Sequence, residues 1–201
     1  MKKFIYLFLF TTFLFNQDYS LEFDGIDDYV WLQNGIFSSH SSSYPNQFTI
    51  EGWAKSLSQS GDLQRIIFNG PGMELQLIVS GTGIGTHIKY NGSGFCTAWS
   101  TIPIDEWYHF AITWDSSTDI ITQFINGVED SFAECPSNQS PAPYYHTSFG
   151  AYAPNIGQNG FYHGRIAEIR ISNNIRYNED FNPEVNVGVD GNTIALWSMN
   201  E

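Results

Sequence analysis

Three carboxylates crowd one turn near the start of the chain. Asp24, Asp27 and Asp28 stand around Gly25 in the stretch Glu22-Phe-Asp-Gly-Ile-Asp-Asp-Tyr-Val30. A calcium ion takes about six to eight oxygen ligands and often mixes carboxylates with backbone carbonyls. Gly25 lets the chain fold back so that the three acids converge. EF-hand spacing and its bidentate glutamate are absent. The same residues also suit an Asx-type turn, in which Asp24 and Asp27 accept local backbone N–H groups. The expectation is therefore double: Asp24, Asp27 and Asp28 hold a structural calcium, or they hold only their own corner.

Other chemistry is thinner. A retaining glycosidase needs two carboxyls about 5–5.5 Å apart, and on a strand that means acids two residues apart on one face. In Ile166-Ala-Glu-Ile-Arg-Ile171 the same-face neighbour of Glu168 is Arg170, not a second acid. Glu51, reaching from another strand, is expected to pair with Arg170 across the sheet. Gly-x-Ser-x-Gly, Walker and His-Glu-x-x-His patterns are missing, so no catalytic residues are assigned. The five histidines are scattered. His109 sits between aromatics and reads as a packed, hydrogen-bonded side chain. Cys96 and Cys135 are the only cysteines, and in an exported chain such a pair suggests a disulfide.

Sugar binding asks for flat aromatic faces on reachable surfaces, with polar groups to orient hydroxyls. Tyr144, Tyr145, Tyr152 and Tyr162 crowd the region from Pro136 to Gly164, amid Asn155, Gln158 and Asn159. Trp99, near Cys96, is a further candidate. Trp53, Trp107, Trp114 and Trp197 fall within expected strands and are assigned to the core.

These residues need a frame, and the sequence describes one. Residues 1–20 read as a signal peptide: Lys2 and Lys3, then an apolar run from Phe4 to Phe15, then a polar stretch with cleavage near Ser20. The protein is expected to be secreted, periplasmic or at the cell surface. The remaining stretch of about 180 residues, 21–201, fits one domain and holds no second apolar run long enough to cross a membrane. A net charge of −13 argues against a nucleic-acid partner, which needs a basic footprint. Asn-Gly and Asp-Gly pairs recur along the whole chain, from Asp24-Gly25 through Asn126-Gly127 to Asp190-Gly191, and supply the positive-φ residues of hairpins. Period-two alternation in three segments writes half-buried strands. Phe48, Ile50, Gly52 and Ala54 oppose Thr49, Glu51, Trp53 and Lys55. Tyr108, Phe110, Ile112 and Trp114 oppose Trp107, His109, Ala111 and Thr113. Ala167, Ile169 and Ile171 oppose Glu168, Arg170 and Ser172. Six further strands are expected, at 65–69, 74–80, 86–90, 120–126, 147–151 and 193–198. Residues 173–181 are polar and read as a loop or a single helical turn. The fold class is all-β, an antiparallel two-sheet sandwich.

Six segments in order carry a resemblance: Phe23-Asp-Gly-Ile-Asp-Asp-Tyr-Val30, Phe48-Thr-Ile-Glu-Gly-Trp-Ala-Lys55, Glu106-Trp-Tyr-His-Phe-Ala-Ile-Thr-Trp-Asp115, Phe124-Ile-Asn-Gly-Val128, Gly164-Arg-Ile-Ala-Glu-Ile-Arg-Ile171 and Ala195-Leu-Trp-Ser-Met-Asn-Glu201. Together they resemble the concanavalin A-like lectin/glucanase superfamily in its laminin G-like branch. The resemblance implies a jelly roll whose first and last strands meet, and it raises the expectation of calcium. It does not choose among lectin-like, adhesive and hydrolytic roles. The reading favoured here is a non-catalytic carbohydrate-binding domain acting on an extracellular polysaccharide or glycoconjugate. A cell-surface adhesion module that binds protein is the first alternative, and a polysaccharide hydrolase or lyase with an unrecognised site is the second.

Overall fold

The computed structural model describes residues 19–32, 36, 45–57, 63–70, 75–90, 93–135, 146–152 and 159–199, with backbone alone at 89, 90 and 93–95. Among the described residues thirteen strands run in chain order. They are β1 (Leu21–Asp24), β2 (Val30–Leu32), β3 (Gln47–Ser56), β4 (Gln64–Gly70), β5 (Leu75–Ser80), β6 (Gly83–Tyr90) and β7 (Ser93–Thr101). Then follow β8 (Tyr108–Asp115), β9 (Ile120–Ile125), β10 (Val128–Glu134), β11 (His146–Phe149), β12 (His163–Ser172) and β13 (Thr193–Trp197). The described residues contain no helix, so 173–181 is a loop. Of the expected leader, residues 1–20, positions 1–18 fall outside the described residues.

All pairings are antiparallel, and they build two sheets. Sheet A has seven strands in the order β1-β12-β3-β8-β9-β10, with β13 also paired to β12; sheet B has six, in the order β2-β11-β4-β5-β6-β7. The result is the expected sandwich. The alternation read from the sequence decides what enters it. Phe48, Ile50, Tyr108, Phe110, Ile112, Trp114, Ile169 and Ile171 of sheet A meet Ile67, Leu75, Leu77, Val79, Ile84 and Ile88 of sheet B in one core. Asn126 and Gly127 both take positive φ (52° and 78°), closing the β9–β10 hairpin as an Asn-Gly pair should.

The first and last strands share one edge of β12 instead of pairing with each other. Leu21 lies opposite Ile166, and Trp197 lies opposite Ile169. A register shift in the β12–β3 pairing falls between the two contacts. Cys96 and Cys135 form the expected disulfide, with sulfurs 1.99 Å apart. It ties β7 of sheet B to the residue after β10 of sheet A.

Several expectations are corrected. β2, β7 and β10 were not expected as strands. β10 carries acids at exposed positions, β7 is rich in small residues, and β2 is only three residues long, so none shows a hydrophobic alternation. The polar faces of β3, β8 and β12 are not half-exposed. Thr49, Glu51, His109, Thr113, Arg170 and Ser172 are all buried, because residues 173–188 run back over the outside of sheet A as a strap. Trp53 belongs beneath this strap, where its indole Nε1 donates to the Glu184 carbonyl at 3.1 Å. Trp107 precedes β8 and is half-buried.

Candidate functional site

The outer face of sheet B carries aromatic and polar side chains that lie outside the core. Leu75, Leu77 and Val79 on β5, and Ile84 and Ile88 on β6, point inward. Gln76, Ile78, Gly83, Gly85 and His87 therefore point outward. Across the register, Gly85 lies opposite Trp99 and Gln76 opposite His87. A Cβ placed on Gly85 would fall 2.1 Å from Trp99 Cε3, and one on Gly83 would fall 2.3 Å from its Nε1. The indole thus lies across two glycines of the neighbouring strand, seated where side chains would stand. It keeps 43% of its surface exposed. His87 lies beside it, ring centroids 6.3 Å apart; its burial and the nearby charge of Arg65 push it below the usual imidazole range.

Two strands further on, Tyr152 packs over Phe68 of β4 at 4.5 Å between centroids. The Arg65 guanidinium covers Tyr152, its carbon 4.9 Å from the ring centre. Arg65 Nε also donates to Gln76 Oε1 at 3.2 Å. The Tyr152 amide donates to the Asn159 carbonyl at 3.0 Å. At the far edge, Trp31 of β2 lies opposite Ser148, pairs with the His146 ring at 5.5 Å and is 42% exposed.

A recess of about 520 Å³, lined by Gly25, Leu63, Gln64, Arg65, Asn159, Gly160 and Phe161, leads from this face towards the acidic turn. Carboxylate oxygens of Asp24, Asp27 and Asp28 lie within 4.8 Å of one another, and all three residues are exposed. Asp24 Oδ1 accepts the Ile26 amide at 2.7 Å, and Asp28 Oδ2 accepts the Asp24 amide at 3.0 Å. The Asp27 amide reaches the same Asp24 oxygen at 3.4 Å. The local turn of the second reading is formed, and it leaves carboxylate oxygens of all three residues outside these bonds. Such an all-oxygen donor set suits a hard cation such as calcium.

The outside of sheet A offers a different arrangement. Glu51, fully buried, accepts from Arg170 Nε at 2.9 Å and from the Tyr177 hydroxyl at 2.7 Å. Arg176 Nε stands 3.8 Å away. The expected Glu51–Arg170 pair is present, directly across the β3–β12 register. His109 is packed between Trp53 and Phe181 as expected. The expected hydrogen bonding is corrected: its ring nitrogens have no hydrogen-bond partner among the described residues, and Nε2 stands 3.5 Å from Glu51 Oε2. Glu168 accepts the Val187 amide at 2.9 Å. Both acids are engaged in holding the strap.

The expected ligand residues therefore separate. Trp99 and Tyr152 share the outer face of sheet B. Tyr162 does not: it is fully buried, and its hydroxyl bonds to Ser56 Oγ at 3.0 Å, so its ring belongs to the core. Tyr144 and Tyr145, with Asn155 and Gln158, lie outside the described residues. Sequence reasoning passed over Trp31, Arg65, Phe68 and His87. The Gly-x-Gly of β6 followed by an exposed tryptophan on the next strand was the available signal.

The chain belongs to the concanavalin A-like lectin/glucanases superfamily: a laminin G family model of that superfamily matches residues 24–180. No curated protein matches it by sequence. Solved structures share the fold. A native heptameric SAP-like pentraxin from Limulus polyphemus aligns with TM-score 0.59 at 14% identity, over 79% of this chain and 77% of that one. The Ruminococcus gnavus IT-sialidase CBM40 bound to α2,3-sialyllactose aligns at 0.60 and 13%, over 76% and 92%. Domains LG4-5 of the mouse laminin α1 chain align at 0.58 and 17%, over 77% of this chain and 40% of that one.

Proposed function

We propose that this protein is an exported, non-catalytic carbohydrate-binding domain that engages glycans on the outer face of sheet B. The observation that carries the reading is Trp99, half exposed and laid across Gly83 and Gly85. A flat indole without neighbouring side chains beneath it is the surface on which a sugar ring stacks. Arg65 and His87 stand close by as polar partners. The structural relative whose printed name records a sialyllactose ligand supports the same class of ligand. The disulfide supports an oxidising, extracellular destination. The absence of a catalytic role rests on Glu51 and Glu168, each buried and engaged in structural bonds.

Asp24, Asp27 and Asp28 are proposed to hold a structural calcium at the mouth of the recess. A glycan array run with calcium and with chelator tests both ideas. Wild-type protein should retain at least one glycan class, and Trp99→Ala, with unchanged melting temperature, should lose most of that retention. Tyr144→Ala with Tyr145→Ala should weaken it further if these two rings also contribute. Calcium should raise the melting temperature of wild type and not of Asp27→Ala; no heat and no shift on titration would remove the metal. An array without any retained glycan would favour protein as the ligand, for which the exposed Val128 and Phe132 on β10 offer a surface.

A further inference from the structure

Sheet B ends on β7, and among the described residues no strand pairs with the outer side of β7. The Ile102 amide donates to the Thr82 carbonyl at 2.9 Å, and Gly83 lies opposite Thr101. In an antiparallel ladder, bonded and non-bonded pairs alternate. Residues 96, 98, 100 and 102 therefore bond to β6, while Thr97, Trp99 and Thr101 direct their N–H and C=O groups to the open side. Their side chains share the outer face of the sheet, because Cys96, Ala98 and Ile102 point into the core.

Proteins blunt such edges with charge, with bulges or with a cover. β10, which closes sheet A on the same side of the sandwich, has all three. It exposes Glu129, Asp130 and Glu134, is bulged between Glu129 and Ser131, and gives its Glu129 amide to Asp180 of the strap at 2.9 Å. β7 is written differently. Its nine residues, Ser-Gly-Phe-Cys-Thr-Ala-Trp-Ser-Thr, carry no charge and no proline. Its register with β6 is unbroken from Gly83 to Lys89.

The outward row of β7, Thr97-x-Trp99-x-Thr101, reads the same from either end. When two copies of one strand pair antiparallel about Trp99, Thr97 meets Thr101 of the other copy twice, and Trp99 meets its counterpart. We propose that β7 is the edge on which a second copy of this chain pairs, joining two six-stranded sheets into one continuous sheet. A twofold contact of this kind uses the same edge on both copies and so closes on itself. Cross-strand threonine pairs are favourable. The uncharged ladder lets two chains of net charge −13 meet without opposing like charges within it. The indoles stay clear of each other, since each leans back over Gly83 and Gly85 of its own β6. Three strand spacings separate one β6 from the other, so the two indoles lie about 14 Å apart on one face.

Sedimentation of the full protein from about 10 µM to about 1 mM, at low and at high salt, tests this. The mass should climb towards that of a dimer with concentration, and further at high salt, which screens the net charge. Thr97→Lys with Thr101→Lys sets like charges opposite each other twice and should weaken the dimer about tenfold. Thr97→Lys with Thr101→Glu sets each new lysine opposite a new glutamate and should restore it. Both positions lie on the outer face and are at least partly exposed, so thermal melts of the two variants should match wild type. A monomer at every concentration overturns the proposal. So does a dimer indifferent to the two lysines, or one that the lysine and glutamate together fail to restore, because such a dimer forms elsewhere. None of these outcomes bears on the carbohydrate reading, which glycan retention tests separately.

Discussion

Gly85 and Trp99 work as a pair. The indole lies flat because β6 presents no Cβ beneath it, and both Gly83 and Gly85 are needed for that seat. Gly85→Val should tilt the indole away without removing it. The ring is half exposed at the surface, so stability should change by less than about 1 kcal/mol, while glycan retention should fall nearly as far as in Trp99→Ala. Tryptophan fluorescence with iodide quenching would report the tilt, and unchanged retention would show that the flat seat is irrelevant. Tyr162 shows where reading single residues fails. Its neighbours in sequence are loop-like, and nothing local distinguishes it from Tyr152. Only the sheet packing puts one ring inside and the other out. By contrast Glu51–Arg170 was legible, because two alternating strands each placed one charge of opposite sign on the face away from the core.

The strap over sheet A is the element whose behaviour follows most directly from charge. Burial pushes the Glu51 carboxyl up, but the His109 ring, the Tyr177 hydroxyl and the Arg170 guanidinium outweigh it and hold it below the usual carboxylate range. Glu51 therefore contributes stability that is present above the ordinary glutamate pKa and is lost as pH falls through its lowered value. Burial moves Glu168 the other way, up, despite the Val187 amide and Arg170. Its contribution is present at low pH and is lost as pH rises past the ordinary glutamate value. Glu51→Gln should cost about 3–5 kcal/mol at neutral pH, since it leaves Arg170 buried beside a neutral group, and should flatten the loss of stability on acidification. Glu168→Gln should steepen that loss and cost little at neutral pH. Thermal melts from pH 7 down to pH 3 check both; parallel curves for the two variants would refute the assignment. The strap itself could not be seen in the sequence. Residues 173–188 have no periodicity, and they are ordered by what they cover: Tyr177 stacked on Phe181 at 3.5 Å, with Phe181 also against His109 and Phe124.

At the scale of the molecule, the two sheets are joined through their core, through the disulfide and through short polar bonds such as Ser100 to Ser131 at 2.9 Å. The cysteines stand 39 residues apart, so the bridge should contribute about 3–4 kcal/mol by loop closure. Replacing both cysteines by serine should lower the urea midpoint accordingly; an unchanged midpoint would mean that β7 and β10 are held by packing alone. The overall architecture was readable because strands buried on one face repeat a strict period of two and because the hairpin dipeptides mark their ends. The candidate binding face was less so, since its members come from the six strands of sheet B and from Tyr152 beyond β11 and meet only through the register. The placement of β1 and β13 along a single edge of β12 has a topological consequence. Leu21 and Trp197 face residues three apart on that strand, which puts the entry and exit of the fold about 10 Å from each other. Such a unit can be spliced into a surface loop of a host polypeptide without prying the host apart, and a short peptide joining 199 to 21 would allow the chain to be opened elsewhere, at the Asn126-Gly127 hairpin for instance, and still trace the same sandwich.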